Sequence, residues 1–174
     1  MELKGKRIAV LVDQSYQEME VWYPIYRFLE AGAEVVTVGP LAGQIISSKL
    51  GYPVKADLAY ADANAAHFDG VVCPGGWAPD YIRRSEAAIH FVSEVGKQGK
   101  LLAAICHGPW VLCSADAIRG RKVTCFFAVK TDVVNAGGIY SDEEVVIDGH
   151  IVTSRKPEDL PAFMRACIDV VKKQ

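Results

Sequence analysis

The residues best suited to chemistry lie in the run Leu101-Leu102-Ala103-Ala104-Ile105-Cys106-His107-Gly108-Pro109-Trp110. Five apolar residues lead to a cysteine, and the polar, turn-forming His107-Gly108-Pro109 follows it directly. A side chain at a junction between a buried strand and a helix projects at the carboxyl end of the sheet, where open α/β folds bind ligands. Gly108 permits the close backbone approach that a nucleophile elbow demands, although Ala104 stands where the serine-type elbow has its first glycine. Free N–H groups and the positive dipole end of the following helix favour a thiolate. The spacing therefore predicts a Cys106 pKa below the free value of about 8.5. A lone cysteine in an apolar run is ordinarily inert core, and Cys73, Cys113 and Cys167 read that way. The turn after Cys106 sets it apart. For His107 the plain alternative is a helix cap or a surface position.

A second run, Pro74-Gly75-Gly76, ends the apolar stretch from Gly70 to Cys73. By itself it is ordinary turn chemistry. At the same sheet edge as Cys106, the N–H groups of Gly75, Gly76 and His107 would form an oxyanion hole.

The elements that must position these residues alternate along the chain. Arg7 to Val12 reads as a buried strand, and the segment from about Glu18 to Ala31 has helical spacing stopped by Gly32. Glu34 to Val38 is a valine-rich second strand. Between residues 42 and 55, I-I-S-S and Y-P-V-K, parted by Leu50-Gly51, read as a small hairpin. Ser85 is an N-cap candidate for a helix over Glu86 to Gln98, with Gly99 after its end. Asp148-Gly149 turns one strand into another, and Pro157 opens a terminal amphipathic helix. Apolar strands alternating with helices predict one α/β domain over residues 1–174, a mainly parallel sheet sandwiched by helices.

Composition removes several function classes. The chain has 174 residues, 51% hydrophobic and 23% charged, which suits a packed core and argues against disorder. A net charge of −2 without a clustered basic excess argues against nucleic-acid binding. The N-terminal apolar run I-A-V-L-V is too short for a signal-peptide core or a membrane span, so a cytoplasmic protein without a membrane partner is expected. The five cysteines contain no C-x-x-C pair and the four histidines are scattered, which argues against a disulfide framework or a zinc site.

A-A-I-C-H-G-P-W together with P-G-G-W-A-P-D-Y resembles the ThiJ/PfpI superfamily, the family of the Parkinson-associated deglycase, and in particular its PfpI-like branch. E-M-E-V-W-Y-P, I-R-G-R-K-V-T and V-T-S-R-K-P-E-D-L-P-A-F agree in order, so the resemblance spans essentially the whole chain. It implies a flavodoxin-like sheet of the class I glutamine amidotransferase-like type, Cys106 as nucleophile, His107 as the adjoining acid/base, and oligomers built from dimers. The glutamate that touches the elbow cysteine falls on Glu20, and the acid that orients the histidine from an adjacent subunit falls on Asp80. Two positions depart from the pattern: Gln17 replaces a frequent second glutamate, and Phe126 replaces a tyrosine of some PfpI-type members.

The resemblance implies a cysteine enzyme that needs neither metal nor organic cofactor and acts on small reactive carbonyls, as a glutathione-independent glyoxalase or deglycase. A peptidase with a Cys–His pair completed by Asp80, and a redox sensor that oxidises Cys106, are the alternatives. A class I glutamine amidotransferase would need a later histidine followed two residues on by glutamate. His150 is followed by Ile151-Val152, which excludes it.

Overall fold

A computed structural model describes all 174 residues. In chain order the strands and α-helices are β1 (Arg7–Leu11), α1 (Glu18–Ala31), β2 (Glu34–Gly39), β3 (Ile45–Ser47), β4 (Pro53–Lys55), β5 (Leu58–Ala59) and β6 (Gly70–Cys73). They continue with α2 (Ala78–Ile82), α3 (Glu86–Lys97), β7 (Leu101–Ile105), α4 (Pro109–Ser114), β8 (Lys122–Val123) and α5 (Lys130–Asn135). The chain finishes with β9 (Ile139–Tyr140), β10 (Val145–Asp148), β11 (Ile151–Ser154) and α6 (Leu160–Lys172).

Seven strands form one sheet in the order β10-β11-β7-β6-β1-β2-β5, parallel throughout except for β10. Strands buried on both faces need apolar side chains on both; β6 and β7 are entirely buried. Helices α1 and α6 pack together on one side, while α3 and α4 meet on the other, against β7. A single core of 53 buried apolar residues joins the layers. The expected sandwich is present.

The Leu50-Gly51 segment does turn β3 into antiparallel β4, and Asp148-Gly149 turns β10 into β11. Pro157 begins a short 3₁₀ turn, and α6 proper starts at Leu160. The helix after Cys106 has only six residues, and Pro109 at its start supplies no N–H. No helix is long and apolar enough to cross a membrane.

Sheet order places the site. The chain leaves β1 towards β2 on one side, and β6 and β7 lie on the other, so the crevice beside β1 and β6 is a topological switch point. The turns that follow β1, β6 and β7 all open at that edge.

Candidate active site

Cys106 follows β7 with φ +62°, a left-handed conformation that an L-residue with a side chain adopts only when its surroundings impose it. Two features impose it. The Cys106 N–H donates to Ser154 O (3.1 Å), and its carbonyl accepts from Phe126 N–H (3.0 Å). Gly108 then passes so close to β6 that a Cβ there would lie 2.1 Å from Cys73 O. The glycine requirement at 108 is steric.

Glu20 arrives from the first turn of α1 and is completely buried. Gln17 caps that helix, its side-chain oxygen accepting the Glu20 N–H (2.9 Å). The residue that departs from the family pattern thus fixes the backbone of the one glutamate that remains. Glu20 Oε2 accepts the Gly75 N–H (2.7 Å), and Oε1 has no hydrogen-bond partner. A Cβ on Gly75 would come within 2.5 Å of Glu20 Oε2 and 3.0 Å of Cys106 Sγ, so the absence of a side chain there lets carboxyl and sulfur share one small space.

This geometry corrects one expectation. The Gly75 N–H is committed to Glu20, which leaves the N–H groups of Gly76 and His107 from the expected oxyanion set. Gly76 holds its position in a left-handed conformation (φ +73°), where a Cβ would strike Gln17 N and Ser15 O at 2.5 Å.

His107 Nδ1 lies 3.2 Å from Cys106 Sγ. Its half-buried ring stacks on Phe126 (centroids 5.1 Å apart, 27° between planes), meets Trp110 edge-on at 5.1 Å and leans towards Trp77 at 5.9 Å. Phe126 therefore supports the imidazole where a tyrosine would also bring a hydroxyl. Asp80 sits in the first turn of α2, partly exposed, and pairs within its helix with Arg84. Within one chain it makes no hydrogen bond to His107, so Cys106, His107, Glu20, Gly75 and Gly76 converge and Asp80 stands apart.

The electrostatics run against the expected acidic thiol. Burial, then the nearby Glu20 carboxylate, push the Cys106 thiol up to about 12, against the pull of the Gly76 and His107 N–H groups. Burial also raises Glu20 to about 8, opposed by the Gly75 N–H and the thiol. Burial, and then the charge of Lys49, hold His107 below the usual histidine range. Burial thus favours the uncharged form of each of the three groups. A thiol 3.2 Å from a neutral imidazole nitrogen can lose its proton to that nitrogen as it attacks.

Sequence reasoning passed over Lys49, whose charge bears on both Glu20 and His107. Its segment carries no local motif, and only the tertiary position of the β3–β4 hairpin brings it near. No group of three or more His, Cys, Asp or Glu side chains is arranged to hold a metal ion.

The DJ-1/PfpI family model matches residues 6–170. The chain is similar to Escherichia coli protein/nucleic acid deglycase 2, 42% identical over 166 residues, covering 94% of this chain and 96% of that one. Pyrococcus furiosus deglycase PfpI is 40% identical over 166 residues, covering 95% and 99%. A solved two-domain protein from Anabaena variabilis, with DJ-1/ThiJ/PfpI-like and ferritin-like domains, matches with a TM-score of 0.92 and 42% identity. That likeness covers 94% of this chain and 47% of the other, so the chain spans about half of the two-domain protein.

Proposed function

The chain belongs to the DJ-1/PfpI family, and from that premise we propose that it is a cysteine enzyme of the glyoxalase/deglycase type, converting small reactive carbonyls such as methylglyoxal to hydroxy acids. The observation that carries the reading is the convergence of one sulfur, one buried carboxyl and one neutral imidazole in a space narrowed to two glycines. A carboxyl raised to about 8 is suited to taking and returning a proton near neutral pH.

In this reading Cys106 Sγ adds to the aldehyde carbon while His107 Nδ1 takes the thiol proton and passes it to the carbonyl oxygen, giving a hemithioacetal. Glu20, as carboxylate, removes the proton from that carbon and returns it to the adjacent one. The proton on the first carbon's oxygen is handed through His107 to the ketone oxygen, so the first carbon is oxidised to a thioester, the neighbouring ketone is reduced to an alcohol, and no external oxidant is needed. Water then cleaves the C–S bond, releasing lactate and restoring the thiol. The N–H groups of Gly76 and His107 are the donors for the oxyanion.

Wild type and Cys106→Ala, assayed side by side on methylglyoxal, an unstructured peptide and hydrogen peroxide, test this. Lactate from wild type and none from Cys106→Ala is the expected result. Peptide cleavage without lactate would transfer the site to the peptidase reading, and stoichiometric oxidation of Cys106 without turnover to the redox-sensor reading.

A further inference from the structure

Asp13 follows β1 at the carboxyl end of the sheet and is only 6% exposed, yet it belongs to no ion pair. Its Oδ1 accepts the Gln14 N–H (2.8 Å). Its Oδ2 lies 3.1 Å from the Tyr60 hydroxyl, but that hydroxyl has one proton and a nearer acceptor, Val12 O at 2.8 Å. Asp13 Oδ2 thus has no donor of its own. A buried carboxylate ordinarily has a cation or several N–H groups against it, because burial otherwise makes its charge costly. Burial pushes this carboxyl above its ordinary value, against the pull of the Gln14 N–H, the Tyr60 hydroxyl and the Arg84 charge.

Asp13 lines a cavity of about 300 Å³ together with Tyr60, Tyr81, Arg84, Ser85 and Ala87, and none of these residues belongs to the candidate active site. That volume stands at the lower end for ligand pockets and suits a small molecule. Positive charge is built into the same lining. The Arg84 guanidinium lies over the Tyr81 ring, 4.7 Å from its centroid, and gives one arm to Asp80. The remaining N–H groups of its fork have no partner in the chain. Ser85 caps α3, a helix of 12 residues, and the N–H groups of Glu86 and Ala87 in its first turn have no acceptor. One carboxylate and one phenol are too few oxygens for a calcium or magnesium ion. An acid that lacks a counter-ion and a guanidinium with free N–H groups, in one small space, match a ligand that carries both charges.

We propose that this cavity binds a small free α-amino acid, with its ammonium on Asp13 Oδ2 and the Tyr60 oxygen and its carboxylate on Arg84 and the start of α3. The Tyr60 oxygen, whose proton points to Val12 O, keeps lone pairs for the ammonium. The ammonium supplies the donor and the counter-charge that Asp13 lacks, and the carboxylate meets a guanidinium already held by Tyr81. The site is separate from Cys106, so this inference stands whether or not the carbonyl reading does.

The test is a titration of the full chain with L-alanine, ethylamine and propionate, followed by amide proton–nitrogen NMR spectra, in wild type, Asp13→Asn and Arg84→Gln. L-alanine should move the amides of Asp13, Tyr60, Arg84 and Ala87 to saturation. It should bind wild type at least about tenfold more tightly than ethylamine, which has only the ammonium, or propionate, which has only the carboxylate. Each variant should weaken L-alanine by about tenfold or more. No saturable change at these four amides, changes confined to other parts of the chain, or an unchanged L-alanine affinity in Asp13→Asn would overturn the proposal. Propionate binding as tightly as L-alanine would remove the role of Asp13, and ethylamine binding as tightly would remove that of Arg84. Should Asp13→Asn fail to fold, the comparison of the three probes on wild type still decides.

Discussion

Glu20 is buried where no solvent reaches it, and there the neutral acid costs far less than the carboxylate. Its folded-state pKa of about 8 lies above the ordinary glutamate value of about 4.3. The native chain therefore retains a proton that the unfolded chain has lost across that interval. The stabilising contribution is complete below the ordinary value and disappears as pH rises through about 8. Wild-type stability should decline by up to about 1.4 kcal/mol per pH unit in this window on account of this group. Glu20→Gln has no such proton to lose, so urea denaturation at about pH 5 and pH 8.5 should show the variant gaining on wild type. An equal gap at both values would mean that the carboxyl is not held protonated. The same group shapes turnover: lactate formation should rise with pH as Glu20 becomes a base near 8, and that limb should be missing from Glu20→Gln.

The elements around the site were legible to different degrees. The apolar runs that became β6 and β7, and the punctuation after each, identify a strand–turn junction from local chemistry alone. The acidity of Cys106 was not legible there. A helix dipole can be read from the sequence, but burial and the charge of Glu20 come from other elements, and together they reverse the sign of the shift. The short α4, beginning with a proline, also weakens the dipole on which the expectation rested. Gly75 and Gly76 looked equivalent as turn glycines, yet the N–H of the first binds Glu20 while the second takes a left-handed conformation against the backbone of residues 15 to 17. Glu20 itself was accessible through the family pattern alone; its helical spacing is that of any first-turn carboxylate. At this scale, Gly76→Ala should abolish most turnover, because its Cβ would meet backbone at 2.5 Å from a left-handed conformation. Its far-ultraviolet circular dichroism should remain close to wild type; full activity in the variant would show that the N–H at 76 is not needed. Gln17→Ala removes the α1 cap and should cost about 1 kcal/mol in denaturation, with a much smaller loss of turnover than Glu20→Gln.

Across the whole molecule, one sheet edge gathers groups from three places: α1 gives Glu20, the turn after β6 gives the glycines, and the turn after β7 gives Cys106 and His107. Asp80 is the residue that this single-chain geometry leaves out. We propose that it acts on His107 of an adjoining subunit, the arrangement that the family resemblance implies. Mixing Asp80→Asn with Cys106→Ala subunits should then restore part of the activity, because one site in each mixed dimer has both groups intact. No recovery from a mixed population, or full activity in a monomer, would confine Asp80 to its helix and its pairing with Arg84.

The central claim is that Glu20 moves the proton between the two substrate carbons, and the rate of lactate formation from methylglyoxal by Glu20→Gln tests it most directly. A positioned base contributes roughly 10²–10⁴-fold. Lactate formation should fall by about that factor, while Cys106 still reacts with iodoacetamide at close to the wild-type rate. Lactate production near the wild-type rate in Glu20→Gln would contradict the account.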